Sequence, residues 1–279
     1  MHLRNTMIFA CLLTMPALPG SAGELLLPVF AHNVRGGHGS TWSSEIYLTN
    51  PGAQAVQVTL SGFLPGTLKR PMPCDHFVPL TRVLPPHSSV IWTASGLATD
   101  LGCAESALGG LLLDADGEIH VTSRTANHGS PDQEPYHGLL VGPGQQFDAV
   151  PVAGLPTEGS YLLPALMWHR NPCGDIAFES SIGFANPGSE PVSIVVDLST
   201  ADRGALLGGQ VVEFPHSLQI PPRSWRQIDL GPIDLPGGAC MDPESFGAIV
   251  SVDRPVAIFA SVVDRGSRDP RTVMPVPLD

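Results

Sequence analysis

The sequence predicts an all-β protein: two tandem antiparallel β-sandwich domains behind an N-terminal export signal. Three observations predict it. Short runs of alternating apolar and polar residues are broken by turn-formers, with 30 Gly and 29 Pro in 279 residues. One set of landmarks occurs twice at a nearly constant spacing. The first residues have the composition of a secretory signal.

Residues 1–22 form that signal. Arg4 supplies positive charge, Met7 to Leu18 is apolar, and Gly20-Ser21-Ala22 offers the small residues of a cleavage site. The apolar run is about a dozen residues, short of the roughly 20 needed to span a bilayer. Cys11 lies inside that run rather than after it, which argues against lipidation. No later segment is apolar for long enough to span, so the mature chain is expected to be secreted or periplasmic and not membrane-spanning. A net charge of −12, no basic run and a single lysine, Lys69, exclude a nucleic-acid partner, because phosphate repels such a surface.

The repeat divides the rest into residues 24–153 and 160–279. Leu26-Leu27-Pro28 recurs as Leu162-Leu163-Pro164, Asn50-Pro51-Gly52 as Asn186-Pro187-Gly188, and Leu84-Pro85-Pro86 as Ile220-Pro221-Pro222, each 136 positions on. Trp42 stands opposite Phe178. Later the spacing drifts, as small loop insertions make it do: Cys103 meets Cys240, and Leu108-Gly109 meets Phe246-Gly247.

Within a copy, Glu45 to Thr49 alternates with Ile46 and Leu48 on one face, stops at Asn50-Pro51-Gly52, and resumes at Val56 to Leu60. That is a strand, a tight turn and an antiparallel strand. Ile182 and Phe184, then Val192, Ile194 and Val196, repeat it. Ser89 to Trp92, Leu111 to Leu113 and Ile119 to Val121 are further strands, with counterparts ending in Ala257-Ile258-Phe259. Leu97 to Leu101 reads as a helical turn. Asp114-Ala115-Asp116-Gly117 reads as a hairpin turn. About seven short strands per copy fit a two-sheet sandwich. Gly154 to Gly159 is a short linker. Between its last two strands the first copy has about 14 extra residues, within Asn127 to Gln146, if Val150-Pro151-Val152 matches Met274-Pro275-Val276.

Apolar strand, Asn-Pro-Gly and alternating Val-rich strand together resemble bacterial exported Ig-like modules, the CARDB-like adhesion and cell-surface domains among them. Leu27 to His32, Trp42-Ser43-Ser44-Glu45-Ile46 and Asn50-Pro51-Gly52 also resemble tandem domains of secreted bacterial proteins. The likeness covers nearly the whole mature chain. It implies Ig-like sandwiches with binding or structural roles, and it transfers no catalytic residue.

Four cysteines follow the signal: Cys74, Cys103, Cys173 and Cys240. An even count in an exported chain without CxxC points to disulfides. Three pairings are open. Cys74–Cys103 with Cys173–Cys240 is favoured because each bridge stays within one repeat, stabilising it by roughly 3–4 kcal/mol.

For chemistry, His32 and His38 flank Arg35-Gly36-Gly37, and His128 and His137 lie in the extra segment. If those loops share one end, the imidazoles could converge on a metal. HxH and HExxH patterns are absent, and no metal or other cofactor is expected. A hydrolase would need a Gly-x-Ser-x-Gly elbow, which is missing. Ser43, Ser44, Ser180 and Ser181 are expected to face solvent. Asp114 and Asp116 could act as paired acids, but the hairpin explains them, and Glu118-Ile119 does not continue a calcium loop. Trp42, Trp92, Trp168 and Trp225 could stack on sugars, although strand aromatics more often pack in cores. The expectation is a noncatalytic exported binding, adhesion or structural module of the cell envelope or extracellular space. Its partner would be a protein or glycan at the cell surface, met through His38, His128, Tyr136 and His137. An exported hydrolase or metal-dependent enzyme, and a carbohydrate-binding protein, are the alternatives.

Overall fold

The computed structural model describes residues 23–36, 40–63, 77–103, 105–128, 144–170, 176–199, 217–230, 244–264 and 270–278. The described residues of the first half form β1 (Gly23–His32), β2 (Val34–Arg35), β3 (Thr41–Asn50), β4 (Val56–Phe63), β5 (Leu80–Leu84), β6 (Ser88–Trp92), β7 (Ala107–Ala115), β8 (His120–Asn127), β9 (Gly144–Asp148) and β10 (Val150–Pro151). The second half holds β11 (Gly159–Arg170), β12 (Ile176–Asn186), β13 (Val192–Ser199), β14 (Ser217–Ile220), β15 (Ser224–Leu230), β16 (Glu244–Val252), β17 (Ala257–Asp264), β18 (Pro270–Val273) and β19 (Val276–Leu278). Among the described residues one α-helix, α1 (Ala94–Asp100), buries Leu97 and Ala98 and begins three residues earlier than the sequence suggests, and a 3-10 turn covers Val152–Gly154.

Strand order in the second half copies the first. One sheet runs β10-β1-β7-β4-β5, and its counterpart β19-β11-β16-β13-β14. The other runs β6-β3-β8-β9, with β2 also on β3, and its counterpart β15-β12-β17-β18. Among the described residues every pairing is antiparallel, and no sheet closes into a barrel. In the second half the two sheets join where β11 ends beside the start of β12. Alternation is plain where one face is open: Ile46, Leu48 and Asn50 are buried while Tyr47 and Thr49 are half-exposed, and Val192, Ile194 and Val196 alternate with exposed Ser193, Val195 and Asp197. Each buried aliphatic side chain contributes roughly 2 kcal/mol by leaving water.

The two Asn-Pro-Gly turns match bond for bond. Asn50 Nδ2 donates to the carbonyls of Gln54 (2.8 Å), Leu84 (3.2 Å) and Pro85 (3.0 Å), and its Oδ1 accepts Gly52 N–H at 2.9 Å. Asn186 does the same to Glu190 (2.8 Å), Ile220 (3.2 Å), Pro221 (3.0 Å) and Gly188 (2.9 Å). The neighbouring residues His87 and Arg223 share a left-handed backbone, φ 48° and 47°.

Strand register corrects two of the sequence matches. Phe30 pairs with Gly109 and Leu166 with Phe246, so Gly109 corresponds to Phe246, at a spacing of 137 (109 to 246). Leu26 pairs with Val150 and Leu162 with Val276, so Val150 corresponds to Val276 and not to Met274. From Arg124 to its partner Gln146 is 22 positions, and from Ser261 to its partner Thr272 is 11. The excess in the first half is therefore 11 residues. Asn127 closes β8 and Gly144 opens β9, which leaves residues 128–143 as the connection.

The halves meet through side chains, not merely through the linker. On the outer face of the β15-β12-β17-β18 sheet, Ala185, Trp225, Ala257 and Phe259 join the same apolar cluster as Leu26, Val29 and Phe147 of the first half. Trp225 is 1% exposed, and its Nε1 donates to Pro28 O at 2.9 Å. Phe147 meets Phe259 edge-to-face, centroids 5.4 Å apart. Gly183 lies under the Phe259 ring, closer than any side chain there would allow. Ser261 Oγ donates to Gln145 Oε1 and Thr272 Oγ1 to Gln146 O, both at 2.9 Å. Leu163, Ile182, Phe184 and Ile194 belong to a separate core in the second half.

Candidate functional site

His128 follows β8 at the root of the 128–143 connection. Its N–H donates to Thr41 O at 2.9 Å, and its Nε2 shares a hydrogen bond of 3.1 Å with Ser43 Oγ. Ser43 Oγ also accepts Asn33 N–H at 3.0 Å. Asn33, in a left-handed conformation at φ 50°, turns its amide toward His32 Nε2 at 3.2 Å. β2, β3 and β8 end together here, through the pairs Arg35–Thr41 and Trp42–Asn127. The structure thus brings His32 and His128 into one corner. Gly36 and Ser40, joined by Gly36 N–H to Ser40 O at 2.9 Å, and His128 are the described neighbours of residues 37–39 and 129–143 at this corner. His38, Tyr136 and His137 fall outside the described residues.

Burial, and then the nearby His32, lower the His128 pKa below its ordinary 6.5. Both effects penalise the imidazolium: one removes water, the other places a second potential cation nearby. The neutral ring is the resident form at pH 7. Among the described residues no group of three His, Cys, Asp or Glu side chains is arranged to hold a metal ion.

The serines are structural seams. Ser43, Ser44 and Ser180 are buried rather than facing solvent as the sequence suggests. Ser44 Oγ accepts Ala31 N–H at 2.9 Å and bonds Thr125 Oγ1 at 2.8 Å. Its counterpart Ser180 accepts Met167 N–H at 2.9 Å and donates to Met167 O at 2.6 Å. β1 and β11 both carry a bulge just before these residues, between Leu27 and Phe30 and between Leu163 and Leu166. A hydroxyl from the facing sheet satisfies the buried N–H that follows, which would otherwise cost ~1–3 kcal/mol.

The remaining candidates are dispersed. Asp116 Oδ1 accepts Gln57 N–H at 2.8 Å, and Asp253 accepts Ser193 N–H at the same distance, so this carboxylate belongs to the repeated turn. Asp114 instead lines a shallow groove of about 420 Å³ with Glu24, Thr59, Ser61 and Phe63, walled by Arg223 of the second half. Arg223 Nη1 lies 3.8 Å from Glu24 Oε1. Trp225 is consumed by the contact between halves, and the Trp42 indole donates to Ser40 Oγ at 3.1 Å. Trp92 is half-buried against the first core, and the Trp168 side chain falls outside the description. Cys103 is buried in the first core; Cys74, Cys173 and Cys240 lie outside the described residues.

Sequence reasoning missed Glu45, which is 1% exposed and accepts the Tyr47 hydroxyl at 2.8 Å. A charged residue within an alternating strand gives no sign of being covered. It also missed Arg223, although the spacing of 136 from His87 marks both as the same turn position.

No family model and no curated protein matches the chain. A solved structure, that of Thermotoga maritima 1070, is similar at 17% identity over 44% of this chain and 94% of that one, with a TM-score of 0.30. At that score the likeness bears on neither fold nor function.

Proposed function

We propose that the chain is a noncatalytic exported binding or structural module, made of two tandem Ig-like sandwich domains and met by a protein or glycan of the cell envelope or extracellular space. One observation carries this. The duplicated strand order and turns run through the described residues of both halves, while strand register makes the connection 128–143, which begins at the His128 corner, 11 residues longer than its counterpart. Loops of a sandwich can grow without disturbing it, because only their ends are tied to strands. His38, Tyr136 and His137, in the two segments whose described neighbours meet at that corner, are assigned with His128 to the binding surface. Export rests on residues 1–22, and N-terminal sequencing of the protein from its native fraction should start near Gly23. Disulfides Cys74–Cys103 and Cys173–Cys240 belong to the same reading; non-reducing peptide mapping that joins Cys74 to Cys173 would overturn the pairing.

Deleting residues 129–143 and bridging with a short Gly-rich turn tests the surface. The thermal midpoint should stay nearly unchanged while retention on isolated envelope material falls. Retention equal to that of the parent would make the segment a spacer, and an unfolded first half would make it part of the core.

The Ser43–His128 hydrogen bond favours a second reading, an exported hydrolase with Ser43 as nucleophile. Against it, Ser43 is buried and already takes the Asn33 N–H. Labelling of Ser43 by a fluorophosphonate, lost in His128→Gln, would establish that reading in place of the first.

A further inference from the structure

The contact between halves has a vacant twin. In the first half, Leu26, Pro28 and Val29 are buried, and Val150 and Val152 pack against the same cluster, because the second half's sheet covers them. By register, Leu162, Pro164, Ala165, Val276 and Leu278 hold the matching positions in the second half. There Leu162 and Pro164 are half-exposed, Ala165 is exposed, and Val276 and Leu278 are 50% and 41% exposed. One surface is thus built twice and covered once.

We propose that this surface docks the outer sheet face of another β-sandwich domain, one that presents small residues around one or two aromatic rings. The occupant's chemistry is taken from the interface already formed, where Ala185 and Ala257 contribute small side chains, Gly183 leaves room for the Phe259 ring on the neighbouring strand, and Trp225 and Phe259 fill the space. Among the described residues, a second copy of this chain offers no spare face of that kind. Its Trp225 face is already buried, and on its first half the matching positions carry Tyr47, Ser89, His120 and Thr122 in place of Gly183, Trp225, Ala257 and Phe259. Edge-to-edge pairing is also blunted, because Pro275 and Pro277 bring no N–H to the edge strand β19. Arg271 marks the surface as uncovered. It corresponds to Gln145, which takes the Ser261 hydroxyl across the formed interface, but its guanidinium donates to Ala165 O of its own half. This surface is separate from the 128–143 segment and does not depend on what that segment binds.

The probe is the chain itself, extended. Pro277 pairs with Tyr161 as Pro151 pairs with Leu25, so adding residues 152–279 directly after Pro277 reproduces the native junction. Hydrogen exchange at Ala165 and Val276 should slow at least ~tenfold against the parent, as expected for amides moved from an open surface into a packed one. Val276→Glu in the extended chain should restore the parental rate. A second extended chain with Arg271→Gln makes the receiving surface more like the first and guards against one faulty splice. Parental exchange rates in both extended chains would overturn the proposal. So would a parent that sediments as a dimer and becomes a monomer on Val276→Glu, since the occupant would then be a second copy.

Discussion

Asn50 and Asn186 each hold four backbone groups with one side chain, three of them carbonyls, and in both turns the third carbonyl is shared with a serine hydroxyl, Ser88 on Pro85 O and Ser224 on Pro221 O. Substituting either by Ala removes all four bonds at once, so each variant should lose about 2–4 kcal/mol in urea unfolding. The two losses should agree closely, because the two sets of bonds do. A turn was legible from Asn-Pro-Gly, but the side chain's reach to a carbonyl 35 residues away, Pro85, was not. His128 yields a prediction in pH. Its folded pKa lies below the unfolded 6.5, so the unfolded chain binds the proton more readily in the window just under 6.5. Its contribution to stability is full above that value and declines as pH falls through the window. His128→Gln should flatten the dependence in thermal melts between pH 7 and pH 5, and an unchanged slope would remove His128 as its source.

At the scale of the element, period-two alternation located most strands, since one face of each lies against a core. It failed where both faces are covered. Leu26 and Leu112 sit on the outer side of their sheet yet are buried, because the second half packs there, and no local pattern announces a cover that arrives from the other half of the chain. The last strand pair was misaligned by two residues for a related reason: Val-Pro occurs in β10 and β19, and Met-Pro just before the latter, so only pairing to Leu26 and Leu162 decides between them. β12 and β17 also make a close approach that invites a test. Gly183→Ala would drive a methyl into the Phe259 ring, and with packing on both sides it should cost about 1–3 kcal/mol. The matching change Tyr47→Ala, on the half-exposed face of β3, should cost less than Gly183→Ala despite removing far more atoms.

For the whole molecule, the Trp225 contact decides whether the halves behave as one body. Its indole buries a large apolar surface and satisfies Pro28 O, so the parent should unfold in a single calorimetric transition. Trp225→Ala should split it in two, with the earlier transition lowered by the equivalent of about 3–5 kcal/mol. Two transitions already present in the parent would show that the linker, not the interface, sets the coupling. The His128 corner was half legible in this frame: the histidines stood out as residues, but their convergence depends on β2, β3 and β8 ending together, which is a property of the fold. The Asn-Pro pairs finally bear on how the molecule ages. Spontaneous deamidation begins when the backbone nitrogen after an asparagine attacks its side-chain amide, and Pro51 and Pro187 carry no hydrogen there to give up. The two amides that lock both turns are therefore protected from the slow chemistry that an Asn-Gly turn would suffer. Prolonged incubation at mildly alkaline pH followed by peptide mass analysis should find Asn50 and Asn186 intact, so that the clock on this chain is set elsewhere.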